Sequence, residues 1–157
     1  NSHLNCRAMD IHAPFDYSEV TPLIFIGQNA CCVTHFDGTL TARGVRADIS
    51  LEKEQIDQPY GVDFFLWLPT EDHTAMSHEK ADLGILTLRY FAEKNIPCFV
   101  HCKNGHGRAP MLVAAYLIAD HGKTAEEAVA YLRERRPVMH LQDVQMAFLK
   151  ERGALRK

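Results

Sequence analysis

The chain has 157 residues, 46% of them hydrophobic and 24% charged, and a formal net charge of −3 at pH 7. That length suits a sizeable core, and residues 1–157 are read as one domain. The slight acidity argues against a broad nucleic-acid or membrane surface, so no nucleic-acid partner is expected.

The longest apolar run, Met111 to Ala119, is far shorter than the about 20 residues that a membrane-spanning helix needs. The first residues lack the apolar centre of a secretion signal, and residues 1–15 are expected to be a tag or a flexible arm. Five cysteines, Cys6, Cys31, Cys32, Cys98 and Cys102, are an odd number without regular spacing, which argues against a disulfide framework. No CxxC pair occurs, which disfavours a zinc ribbon or a thioredoxin motif. A reducing, cytoplasmic setting is the expectation.

In chain order, "LIFIG" (23–27), "VRADIS" (45–50), "VDFFLWLP" (62–69) and "PCFVH" (97–101) read as short buried strands. Their aromatic and β-branched content and flanking Gly or Pro favour strand over helix. Helices interleave. Ser77 caps a segment running to Lys94, with Leu83, Leu86, Tyr90 and Phe91 at helical spacing. "MLVAAYLIAD" is apolar on every side and predicts a helix buried all round, with Gly122 at its left-handed end. Thr124 and Glu127 have capping-box spacing and open a helix with Ala128, Val129 and Leu132 inward, which Pro137 stops. Leu141, Val144, Phe148 and Leu149 mark a last helix. Strands alternating with helices predict an α/β fold, a central sheet flanked by helices.

Between the fourth strand and the apolar helix lies "HCKNGHGRAP" (101–110). Pro110 is tolerated in a first helical turn, and Gly105 and Gly107 permit backbone angles that other residues avoid. Such a loop turns several amides toward one point at a helix N-terminus, an anion nest. A cysteine there feels the amides and the helix dipole, so the Cys102 pKa is expected well below the free value of about 8.5. Arg108 follows six positions on, with a planar fork that binds two phosphate oxygens at once. A nucleophile below a phosphate cradle, with an arginine on the equatorial oxygens, is the apparatus for phosphoryl transfer to sulfur.

The spacing, with His101 before Cys102 and Gly105 in the loop, resembles the HCxxGxxR signature of the cysteine-dependent protein phosphatase superfamily. The short chain is most similar to a compact dual-specificity phosphatase, over about residues 22–149. The resemblance implies a mostly parallel, tyrosine-phosphatase-like sheet, with the nucleophile loop between a strand and a helix N-terminus. It implies Cys102 and Arg108 as catalytic residues and a cradle of Lys103, Asn104, Gly105, His106, Gly107 and Arg108, with no metal and no organic cofactor. It implies a general acid on the loop after an earlier strand. Asp72 in "WLPTEDHTA" stands there, with Glu71 and Asp63 as competitors. An acid is required because an alkoxide or phenoxide leaves poorly unless it is protonated. His101 is expected to shape the loop and tune the cysteine, and one arginine of "RERR" (133–136) with Pro137 resembles an element that packs beneath that loop.

Ala109 departs from the pattern, because most members carry a Ser or Thr whose hydroxyl helps the thiolate leave. Slower breakdown of the cysteinyl-phosphate is expected, by about 1–3 kcal/mol of lost hydrogen bonding. The expected activity is phosphomonoester hydrolysis on a phosphoprotein, at Tyr and Ser/Thr. The alternatives are a weak phosphate-binding pseudophosphatase, a phosphatase of a non-protein substrate such as a phosphoinositide, or a rhodanese-type sulfur transferase.

Other residues carry plainer readings. Lys103 and His106 face either solvent or ligand. His73 and His78 read as surface residues. "RERR" also suits a helix C-terminus, where cations oppose the dipole. Cys98 reads as a core residue; roughly 13 Å of extended strand separates it from Cys102, too far for a disulfide.

Overall fold

The computed structural model describes residues 15–29, 36–56, 59 and 61–155. Residues 1–14 of the expected arm lie outside the described residues, as do Cys6, Cys31 and Cys32. Five strands form one sheet: β1 (Tyr17–Thr21), β2 (Ile24–Gly27), β3 (Ala47–Glu52), β4 (Phe64–Thr70) and β5 (Cys98–His101). The spatial order is β1-β2-β5-β3-β4. β2, β5, β3 and β4 run parallel, and β1 pairs antiparallel with β2. The flanking helices are α1 (His78–Glu93), α2 (Arg108–His121), α3 (Ala125–Arg135) and α4 (Asp143–Leu155). The α/β fold with a mostly parallel sheet is therefore as expected.

β1 was not legible in the sequence. "YSEVT" is polar and buries only Val20, because it lies at the edge of the sheet. The other strands carry their apolar residues to two layers. Ile24, Ile26, Ala47, Ile49, Cys98 and Val100 join the larger cluster, to which all four α-helices contribute. Phe25 and Phe99 face the opposite side and pack with Leu40 and Val45.

α2 is buried from Arg108 through Ile118, which makes it the central helix that the sequence predicts. Gly122 takes a left-handed φ of 68° and returns its N–H to the Leu117 carbonyl. Both bonds of the Thr124–Glu127 capping box form, and Ser77 Oγ accepts the Lys80 N–H.

α1 spans the segment expected from Ser77 to Lys94. It buries Ala81, Gly84, Ile85, Leu88 and Phe91, while Leu83, Leu86 and Tyr90 remain exposed. The helix has two apolar stripes, and packing selects the one with small residues. A Cβ on Gly84 would lie 2.6 Å from Leu112 Cδ1, so any larger residue there would displace the Leu112 side chain of α2. In α4, likewise, Phe148 and Leu149 are buried, but Val144 is exposed and Leu141 precedes the helix.

Candidate active site

In a sheet of parallel strands the carboxyl ends collect at one edge, and loops there are placed by several strands at once. The loop of residues 102–107 leaves the central strand β5 and enters α2 at Arg108. Gly105 has φ +70°, and a Cβ there would lie 2.5 Å from the Gly27 carbonyl carbon and oxygen. Both facts restrict this position to glycine. The Gly105 N–H turns inward and donates to Cys102 Sγ at 3.2 Å.

The loop is held from beneath by Arg136, whose side chain is fully buried. Its Nε donates to the Gly105 carbonyl at 2.8 Å and its Nη2 to the Asn104 carbonyl at 3.2 Å. The outer side of the same guanidinium meets Asp16 at 2.9 Å and Ser18 at 3.0 Å. Of the "RERR" cluster, Arg136 is thus the residue under the loop. Arg135 lies over the Tyr131 ring near the helix end.

Arg108 is buried to 1% exposure at the first position of α2. Its Nη1 donates to Glu54 Oε2 at 2.8 Å, to Glu54 Oε1 at 3.1 Å and to the Thr70 carbonyl at 2.8 Å. Its Nε has no hydrogen-bond partner among the described residues; Asp72 Oδ1 stands 3.4 Å away. Burial opposes the charge of Arg108, but the Glu54 hydrogen bonds and the nearby charges of Cys102, Asp72 and Glu54 outweigh it. Its pKa is raised above the ordinary arginine value. Burial alone would push the Glu54 carboxyl up. The hydrogen bonds from Arg108 and the backbone and the Arg108 charge win, and the group lies below its usual range.

Asp72 follows β4 and shares a cleft of about 110 Å³ with Cys102, Arg108, Asn104, His106 and Gly107. His73, in a left-handed conformation at φ +64°, donates its N–H to Asp72 Oδ1 at 3.0 Å. Of the competing carboxylates, Asp63 pairs with Arg46 at 2.8 Å at the far end of β4, and Glu71 is exposed and does not line the cleft. Within the cradle, Asn104, His106 and Gly107 line the cleft with Arg108. The Lys103 side chain is exposed and does not line it, and its carbonyl accepts the Asn29 N–H. His73 reaches the cleft rim, with Gln142 Nε2 3.2 Å from its Nδ1, whereas His78 lies apart beside Glu151. Ala109 is fully buried. No group of His, Cys, Asp and Glu suited to a metal occurs among the described residues.

Two further contributors escaped sequence reading. Glu54 sits in the charged stretch "EKEQ", which carries no signal of a fixed role. Gln145 at the start of α4 is buried; its Oε1 accepts from Gln142 N, its Nε2 donates to the Thr74 carbonyl, and it backs Gly107. The pairing of β3 brings Glu54 to the site, and the docking of α4 brings Gln145.

Residues 33–153 match the family profile of the dual specificity phosphatase catalytic domain. The chain is 32% identical over 104 residues to the tyrosine-protein phosphatase yvh1 of Schizosaccharomyces pombe, covering 64% of this chain and 28% of that protein. It is 43% identical over 53 residues to the human phosphatidylglycerophosphatase and protein-tyrosine phosphatase 1, covering 34% and 26%. The chain thus spans about a quarter of the length of these two relatives. Among solved structures, the human tyrosine phosphatase-like serine/threonine/tyrosine-interacting protein superposes with a TM-score of 0.81 at 19% identity, over 88% of this chain and 96% of that one. PTPMT1 superposes with a TM-score of 0.76 at 25% identity, over 90% and 96%. A related PTPMT1 structure, in complex with PI(5)P, gives 0.75 at 22% identity, over 89% and 96%. With a glycine-built thiol loop, a buried arginine at the helix start and a carboxylate across the cleft, the chain belongs to the dual-specificity phosphatase catalytic-domain family.

Proposed function

We propose that the chain hydrolyses phosphomonoesters of phosphoproteins, at Tyr and Ser/Thr, through a cysteinyl-phosphate. One observation carries this reading: Arg108 lines the same cleft as Cys102, and its buried Nε has no hydrogen-bond acceptor among the described residues, with only the Asp72 carboxylate near it at 3.4 Å. A buried unsatisfied donor costs about 1–3 kcal/mol, which a phosphate oxygen offsets on binding.

The steps follow from the arrangement. Cys102 Sγ attacks phosphorus; the S–P bond forms as the ester P–O bond breaks. Asp72 gives its proton to the departing oxygen. Arg108 and the loop amides hold the equatorial oxygens as charge shifts onto them. Water then attacks phosphorus and gives a proton to Asp72. The S–P bond breaks, its electron pair returns to sulfur, and inorganic phosphate leaves. The route uses no metal or organic cofactor. A nucleophilic thiol needs a reducing compartment, and we assign the chain a cytoplasmic setting on that ground.

A phosphoinositide is the second substrate reading. It is favoured by the structural neighbour solved with PI(5)P and by the 43% identical stretch shared with the human phosphatidylglycerophosphatase.

Rapid-quench kinetics on an aryl phosphate test the route. The expected result is a burst of phenol followed by slow turnover, lost in Cys102→Ser and relieved in Ala109→Ser. Turnover of a phosphopeptide in preference to phosphoinositide vesicles supports the protein substrate, and the reverse preference supports the lipid. Phosphate binding without phenol release between pH 5 and 8 overturns the catalytic reading in favour of a binding module.

A further inference from the structure

Asp48 and His101 form an ion-pair contact with no solvent exposure on either side chain, Nε2 to Oδ1 at 2.7 Å. A carboxylate out of water is costly unless it meets a cation or a set of donors. On the same face of the sheet lie Phe99 and Phe25, and the buried Ser50 and Glu52. In the parallel register Asp48 stands opposite Phe99 and Ser50 opposite His101. The imidazole therefore leans back along β5, stacked on the Phe99 ring at 4.8 Å and 15°, to reach the carboxylate on β3. Its chain neighbour is Cys102. The other ionisable groups near the pair, among the described residues, are Cys98, which feels the Asp48 charge, and Glu52, on the Asp48 face of β3 and bonded to Asn29 Nδ2.

The pair thus has a direction. Its carboxylate lies on β3, two residues back from the level of the loop. A proton held on its imidazole places positive charge on the residue that precedes Cys102 in the chain. We propose that Asp48 is a positioning residue for the reaction: by holding His101 as a donor bearing positive charge, it keeps Cys102 in the thiolate form. This rests on the reading of Cys102 as the nucleophile. Asp48 touches neither substrate nor sulfur, and its effect passes through His101. An asparagine at 48 keeps the size of the side chain and an acceptor for Nε2 but removes the charge that sustains the imidazolium. A purely structural tie survives that change and an electrostatic one does not.

The test is the rate of iodoacetamide alkylation at Cys102, followed by mass spectrometry of that residue from pH 5 to 9. It is run on the parent, Asp48→Asn, His101→Gln and the double variant, alongside the pH profile of kcat/KM. In Asp48→Asn the expected rate at pH 6 is about tenfold below the parent, with no difference at pH 9, and the acid limb of kcat/KM moves to higher pH in step. His101→Gln gives the same shift, and the double variant adds nothing further. An Asp48→Asn profile that superimposes on the parent, or that falls equally at every pH, overturns the proposal. Should Asp48→Asn fail to fold by circular dichroism, Asp48→Ser is read instead, since it also removes the charge and leaves His101 in place. Its profile decides in the same way. Alkylation needs no turnover, so the two readings separate. A parent whose Cys102 alkylates with the Asp48-dependent profile but releases no phenol sinks the hydrolase and leaves this inference standing. Hydrolysis with an unshifted profile does the opposite.

Discussion

Glu54 closes on Arg108 with both carboxylate oxygens, at 2.8 and 3.1 Å from the same Nη1. The arginine is thereby fixed at one end, while its Nε keeps only the Asp72 carboxylate nearby, at 3.4 Å. Glu54→Gln keeps the volume but loosens this hold. KM for an aryl phosphate is expected to rise about fivefold with a smaller change in kcat, since the guanidinium loses orientation on the ground and transition states alike. The pH dependence has a definite sign. The folded pKa of Glu54 lies below its ordinary 4.5, so its stabilising contribution is complete above that value and is lost as pH falls through the folded value. Urea midpoints of parent and Glu54→Gln should differ at pH 7 and converge in acid. A difference that persists at pH 3 refutes the linkage.

Gly105→Ala places a Cβ 2.5 Å from the Gly27 carbonyl in a left-handed conformation. The strain alone costs about 1–3 kcal/mol, and relief of the collision must move the loop. Activity should disappear and the melting temperature should fall. Gly153→Ala, in α4 with nothing within 4 Å of the added carbon, is the control. It should be neutral or stabilising by up to about 1 kcal/mol, with activity intact.

Arg136→Met removes the donors to the Gly105 and Asn104 carbonyls and leaves Asp16 unpaired. A loss of about 3 kcal/mol is expected in urea unfolding, together with weaker binding of inorganic phosphate. Arg136→Lys should recover part of the stability and little of the phosphate affinity, because one ammonium cannot reproduce the fork. Equal recovery of both would show that charge alone suffices there.

Cys98 is buried, which pushes its thiol pKa up, and the charge of Asp48 adds to the effect. Its folded value exceeds the ordinary 9.0, so its contribution to stability is complete below 9.0 and is lost as pH rises through the folded value. Native protein should carboxymethylate at Cys102 and not at Cys98, and denatured protein at both. Cys98→Ala should flatten the alkaline end of the stability curve. Alkylation of Cys98 in native protein at pH 8 would contradict its placement in the core.

The site was legible where chemistry runs along the chain. Cys102, Gly105 and Arg108 lie within one loop, and the spacing that makes an anion nest is written in consecutive residues. Asp72 came only from the resemblance, which implies an acid on the loop after an earlier strand; its Oδ1 stands 3.4 Å from Arg108 Nε. Glu54, Gln145 and Asp48 were not legible, because each reaches the loop only through the pairing of β3 with β5 or the docking of α4. No local pattern distinguishes the glutamate of "EKEQ" from a solvated one. The inward face of α1 was not legible for a related reason. Leu83, Leu86 and Tyr90 are as apolar as Ile85, Leu88 and Phe91, and only the partner helix, with Leu112 against Gly84, decides between the stripes.

The nucleophile loop springs from the innermost strand, with β2 and β3 on either side of β5. The segments around it hang from the ends of different strands: Asn29 beyond β2, Glu54 beyond β3, Asp72 beyond β4. Asn29, Glu54 and Asp72 themselves lie outside the apolar layers below, and among the described residues of these segments only Ala75 and Met76, later in the segment beyond β4, pack into the larger one. The architecture is therefore modular. Recognition can diverge by exchanging residues at the tips on an unaltered sheet, provided that Glu54 keeps its hold on Arg108. Loop grafts between members of this family should accordingly change which phosphoester is accepted well before they change whether the chain folds.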